Sequence, residues 1–97
     1  QKMNSDMGAY KLIDKEILST LSFKDTEMGI QNPDLLRKLK DATSIGNLHH
    51  NKCRIIFKDS EGVKAVETTI WSLGKQYICL KGGTWLPIRN IMDVNIL

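Results

Sequence analysis

The sequence predicts an α+β domain in which two N-terminal helices precede a small five-stranded antiparallel barrel. Three observations carry this. Apolar residues recur at helical spacing twice in the first half of the chain. From residue 50 the period changes to two, with turn signals at hairpin spacing. At 97 residues, the length suits one modest core. Five short strands cannot hide both faces of a flat sheet, and curling them into a barrel buries one face and removes most of the edge.

Residues 1–9 show no periodicity and read as disordered or tag-derived; residues 10–97 read as a single domain. The first helix is predicted over about 12–22, with Leu12, Ile13, Ile17, Leu18 and Leu21 apolar and Asp14 as its cap. A polar connector follows at 24–31. The second helix, 33–45, has the fuller set of signals. Asn32 suits the N-cap, Pro33 the first helical position and Asp34 the first turn. Leu35, Leu36, Leu39, Ala42 and Ile45 form one stripe, and Gly46 is the expected stop.

The barrel is predicted over 50–97. Cys53, Ile55 and Phe57 alternate with Lys52, Arg54, Ile56 and Lys58 and run into the turn Asp59-Ser60-Glu61-Gly62. Residues 63–73 are rich in Val, Thr, Ile and Trp, which suit a strand. Residues 76–81 and 84–88 follow, joined by Gly82-Gly83 as a two-residue type I′ turn. A short turn or 3₁₀ piece at 89–91 leads into a last strand, 92–97. Pro87 cannot donate to a ladder and marks its strand as an edge.

The segments "VETTIW" and "LKGGTWLPI" resemble those of a group of short uncharacterised bacterial proteins with SH3-like or Sm-like barrels. The layout of residues 50–95 is similar, more distantly, to Sm-like proteins and to the Rho-inhibitor (Rof-like) barrels, which bind a transcription terminator. The resemblance implies an SH3-like or Sm-like barrel closed by a one-turn helix. It implies no function for the first group, and the second likeness is architectural only. The acidic character that such an inhibitor would use is absent from this basic half.

Residues 1–32 carry four Lys and five acids, a net of −1, and residues 33–97 carry ten Lys/Arg and six acids, a net of +4. A mildly basic domain is compatible with nucleic acid or an acidic partner. With no apolar run of membrane length and no signal-like start, the expected location is cytoplasmic, with Cys53 and Cys79 as free buried thiols. No metal is expected: His49 and His50 point to opposite sides of an extended chain. No nucleophile lies in a recognisable catalytic context, and a phosphate loop would need its glycines at a helix start, so no cofactor is implied. Glu67 is read either as part-buried or as facing a cation across the sheet.

The one constellation with functional content is basic and aromatic: Lys52, Arg54, Lys58, Trp71, Tyr77, Lys81, Trp85 and Arg89. Small barrels bind single strands with a positive groove and stacking platforms. Against this, a Trp in such a barrel is more often core, and Trp71 is expected under a helix more than on a platform; Trp85 divides evenly. The sequence therefore points to a non-enzymatic binding module for RNA, single-stranded DNA or a nucleic-acid-associated protein. The alternative is a structural or regulatory domain that self-associates through its helices, as a homodimer that buries their excess apolar surface.

Overall fold

The computed structural model describes residues 10–24 and 30–97, so the expectation for residues 1–9 and most of the polar connector lies outside the described residues. The chain forms β1 (Lys11–Ile13), a 3₁₀ turn (Lys15–Thr20), α1 (Leu35–His49), β2 (Cys53–Asp59), β3 (Gly62–Thr68), β4 (Ile70–Leu73), β5 (Tyr77–Leu80), β6 (Trp85–Pro87), a second 3₁₀ turn (Ile88–Asn90) and β7 (Ile91–Ile96). The strands make two sheets, β1-β3-β2-β7 and β4-β5-β6.

This corrects the predicted fold in two respects. There is one helix among the described residues, in the middle of the sequence, and the sheets do not close into a five-stranded barrel. The first helix fails because residues 11–13 pair in parallel with β3, Leu12 opposite Ala65. What remains of the predicted helix is the 3₁₀ turn, which buries only Leu18 and leaves Ile17 exposed. By occupying the free side of β3, β1 completes the four-stranded sheet. The predicted strand 63–73 breaks at Thr69, and its second half, β4, belongs to the other sheet. Helix α1 packs mainly against β4 and β7. It thus contacts one strand of each sheet.

Helix α1 begins two residues later than expected, at Leu35 with Asp34 as its N-cap, because Asn32 and Pro33 form a turn ahead of it: the Asn32 side chain accepts the Asp34 N–H at 2.8 Å and the Asn32 carbonyl accepts the Leu35 N–H at 2.9 Å. Leu35, Leu39, Ala42 and Gly46 are buried along one stripe. The helix does not stop at Gly46 but at His50, whose left-handed φ of 57° closes the last turn through its N–H to the Gly46 carbonyl. Gly46 serves packing instead. A Cβ there would stand 3.0 Å from Thr69 Cγ2 and 3.2 Å from the Ile70 carbonyl oxygen. Ordinarily Gly→Ala in a helix gains about 1 kcal/mol. Here the backbone of β4 is the obstacle, and we expect Gly46→Ala to lower stability by about 1 kcal/mol and Gly46→Val by about 3 kcal/mol in urea melts. A rise in stability for Gly46→Ala would show that β4 yields.

The core lies between the sheets and under α1. Cys53, Ile55, Phe57, Val66, Ile91 and Val94 face it from the larger sheet; Ile70, Ile78, Leu80 and Leu86 face it from the smaller. Phe23 stacks obliquely on Phe57, with ring centroids 6.0 Å apart. Both cysteines are free and buried, and burial pushes the Cys53 thiol up to about 11. No described helix is long and apolar enough to cross a membrane.

Candidate nucleic-acid interface

The three-stranded sheet turns Ile78, Leu80 and Leu86 inward, so alternation turns Tyr77, Cys79, Trp85 and Pro87 outward. Register places Trp85 opposite Cys79 and Pro87 opposite Tyr77. Strand β4 carries a bulge: Ile70 pairs with Leu80 but Ser72, not Trp71, pairs with Cys79. Such an extra residue puts Trp71 and Ser72 together on the outward side while Leu73 returns to the core. Trp71 is 49%, Tyr77 47% and Trp85 58% exposed. The expectation that Trp71 lies in the core or under a helix is therefore corrected: Ile70 faces the core, so alternation turns its neighbour Trp71 outward, and the bulge adds Ser72 to that side. All three aromatics stand on one face, together with a buried Cys79.

The segment of chain that builds this face carries cations and no acids. From Thr68 to Met92 the chain contains Lys75, Lys81 and Arg89 and no Asp or Glu, so this segment accounts for the whole formal charge of +3. At one end, Lys75, Tyr77, Pro87, Ile88 and Arg89 line a cleft of about 510 Å³. At the other, Lys81 borders a cleft of about 410 Å³ shared with Lys15, Lys52, Asp14, Glu16 and Glu67.

The Gly82-Gly83 turn joins the two ends of β5 and β6. Both glycines have positive φ, 96° and 91°, as a tight hairpin demands. It is not the expected two-residue type I′ turn. The Gly83 N–H reaches the Leu80 carbonyl at 2.9 Å and the Leu80 N–H reaches Thr84 at 2.8 Å, so the loop is Lys81-Gly82-Gly83. Lys81 is thereby in the turn itself and exposed.

The sequence-predicted set divides. Trp71, Tyr77, Lys81, Trp85 and Arg89 come together on and around the smaller sheet. Lys52, exposed before β2, joins Lys81 at the second cleft. Arg54 stays on the larger sheet, where it donates to Glu67 at 2.7 and 2.8 Å; that hydrogen bond, with Tyr10 adding, raises its pKa. Lys58 stands near the end of β2 opposite Val63 and borders neither cleft. Lys75 and Lys15 were missed. The acid-free run flags Lys75, but nothing local to Lys15 announces that it returns to the Gly82 turn. Among the described residues, no three His, Cys, Asp or Glu side chains come together as a metal would require.

Comparison with protein-family models, with curated proteins and with solved structures yields no match.

Proposed function

We propose that this chain is a non-enzymatic module that binds single-stranded nucleic acid on the outward face of β4-β5-β6. The observation that carries the reading is one exposed face bearing Trp71, Tyr77 and Trp85 between cations, with no carboxylate in the same stretch of chain. Indole and phenol rings offer a stacking surface to any base, each stacked base contributing about 1–3 kcal/mol, and the flanking cations meet the phosphates. The arrangement favours an unpaired strand over a duplex, whose bases are not free to stack on a flat sheet.

Self-association through the helices loses its premise, because residues 12–22 supply no helical stripe and the stripe of α1 is spent in the chain's own core. Leu36 and Leu48, exposed on α1, lie too far apart along the helix to form one patch.

The two tryptophans of the chain both stand on the proposed face, so intrinsic fluorescence reports that face alone. Titration with mixed-sequence single-stranded RNA or DNA should quench it, with affinity falling steeply between about 50 and 200 mM salt. Unchanged fluorescence and no retention of labelled oligonucleotide at the lower salt would overturn the reading.

A further inference from the structure

The cleft at the Lys81 end is built from four separate parts of the chain, and hydrogen bonds hold three of them together. The Lys81 N–H donates to the Thr69 carbonyl at 2.9 Å, and the Thr69 hydroxyl donates to the Asn51 carbonyl at 3.2 Å. The turn that follows the aromatic face is thus tied to the residue preceding Lys52. Lys15 comes from the first 3₁₀ turn: its Nζ lies 3.6 Å from the position a Cβ on Gly82 would take. Three lysines therefore line one cleft, and one of them reaches the turn at Gly82.

Among the described residues none of Lys15, Lys52 and Lys81 has a carboxylate partner within ion-pair distance. Of the acids in the cleft, Glu67 is engaged by Arg54. With Glu67 so neutralised, the lining sets three lysines against Asp14 and Glu16 and keeps an excess of positive charge. Unpaired, clustered lysines at the margin of a stacking face are placed for a polyanion that crosses that face.

Resting on the reading above, we propose that the bound strand continues past the aromatic face over the Lys81-Gly82-Gly83 turn and seats its phosphates in the cleft of Lys15, Lys52 and Lys81. The site is then specific for a strand and not for a nucleotide. The aromatics hold about two or three bases, and the cleft engages the backbone beyond them. A ligand too short to reach the cleft gains nothing from Lys15 or Lys52.

The test compares the full chain with Lys15→Gln/Lys52→Gln, using oligothymidylates of about three and about twelve nucleotides. Binding is followed by tryptophan fluorescence across a salt series. Lys40→Gln, on the outward side of α1, serves as the charge control. The expected result is unchanged binding of the short ligand and about tenfold weaker binding of the long one at low salt. The log–log salt slope for the long ligand should flatten by about 1.4, the value for two phosphate contacts on a single strand. Equal affinity and slope in the parent and the double variant would overturn the cleft assignment while leaving the aromatic face intact. No response of the parent to either ligand would overturn the face and the cleft together.

Discussion

Asp59→Ala is expected to destabilise the domain by about 3–5 kcal/mol, a large part of what a domain of this size has in total. Asp59 ends β2 with its side chain almost wholly enclosed, and Lys64, on the neighbouring strand, is nearly as buried. One carboxylate oxygen of Asp59 accepts the Lys64 ammonium; the other accepts the Glu61 and Gly62 N–H groups at 2.8 and 3.1 Å. The alanine variant thus strands a buried cation and unties the β2–β3 turn at once. Asp59→Asn separates the effects, since its amide oxygen still accepts the turn N–H groups while the charge is gone. The burial cost belongs to the charges as well as to their loss, so Asp59→Asn/Lys64→Met should recover most of the stability that Asp59→Asn alone forfeits. Urea melts of the parent, Asp59→Asn, Lys64→Met and the double variant form a double-mutant cycle with an expected coupling of at least about 2 kcal/mol. A loss under about 1 kcal/mol for Asp59→Ala would mean that Lys64 finds water or Glu61, whose carboxylate lies 3.8 Å from its Nζ.

That pair also marks the limit of what the sequence carries. Alternation from Cys53 onward locates β2, β3, β5, β6 and β7 and the turns between them, because a half-buried strand must alternate whatever it packs against. The same reasoning files Asp59 with the turn residues. Its burial depends on Ser22, whose carbonyl takes the Ser60 N–H at 2.9 Å, and on Phe23 against Phe57; both come from a segment far away in sequence. Residues 12–21 fail for a related reason. Five apolar residues at helical spacing state only that a surface is apolar, and the open side of β3 offers Leu12 and Ile13 a ladder that an isolated helix cannot match. Gly46 reads equally well as a terminator or a contact, and only the nearness of Ile70 decides. Within the candidate site, the aromatics and Lys81, Arg89 and Lys52 are legible as residue types. The break at Thr69, which starts β4 with Ile70 inward and Trp71 outward, is not, nor is the bulge that adds Ser72 to the outer side, since neither alters composition.

Trp71→Ala/Trp85→Ala is expected to weaken single-strand binding by about 2–6 kcal/mol, the contribution of two stacked bases, which reaches from roughly thirtyfold to beyond ten-thousandfold. Since the double variant has no tryptophan, the measurement is anisotropy of a labelled oligonucleotide at low salt. The two rings differ in setting. Trp85 stands on β6 directly across from Cys79, on a strand whose other side carries no ladder, whereas Trp71 is held at a bulge beside the end of α1, where Asn47 reaches its carbonyl at 3.4 Å. Trp85 is the more exposed, so Trp85→Ala should cost little stability and most affinity, and Trp71→Ala some of each. Replacement by phenylalanine at both positions keeps a π-face and should restore a large fraction of binding, which a merely steric or folding defect would not allow. Stacking and charge separate by salt: the alanine variants should shift affinity at every salt concentration with an unchanged slope, while Lys81→Gln and Arg89→Gln should flatten it. A double alanine variant that folds and binds within twofold of the parent would show that the outward face of β4-β5-β6 is not where the strand lies.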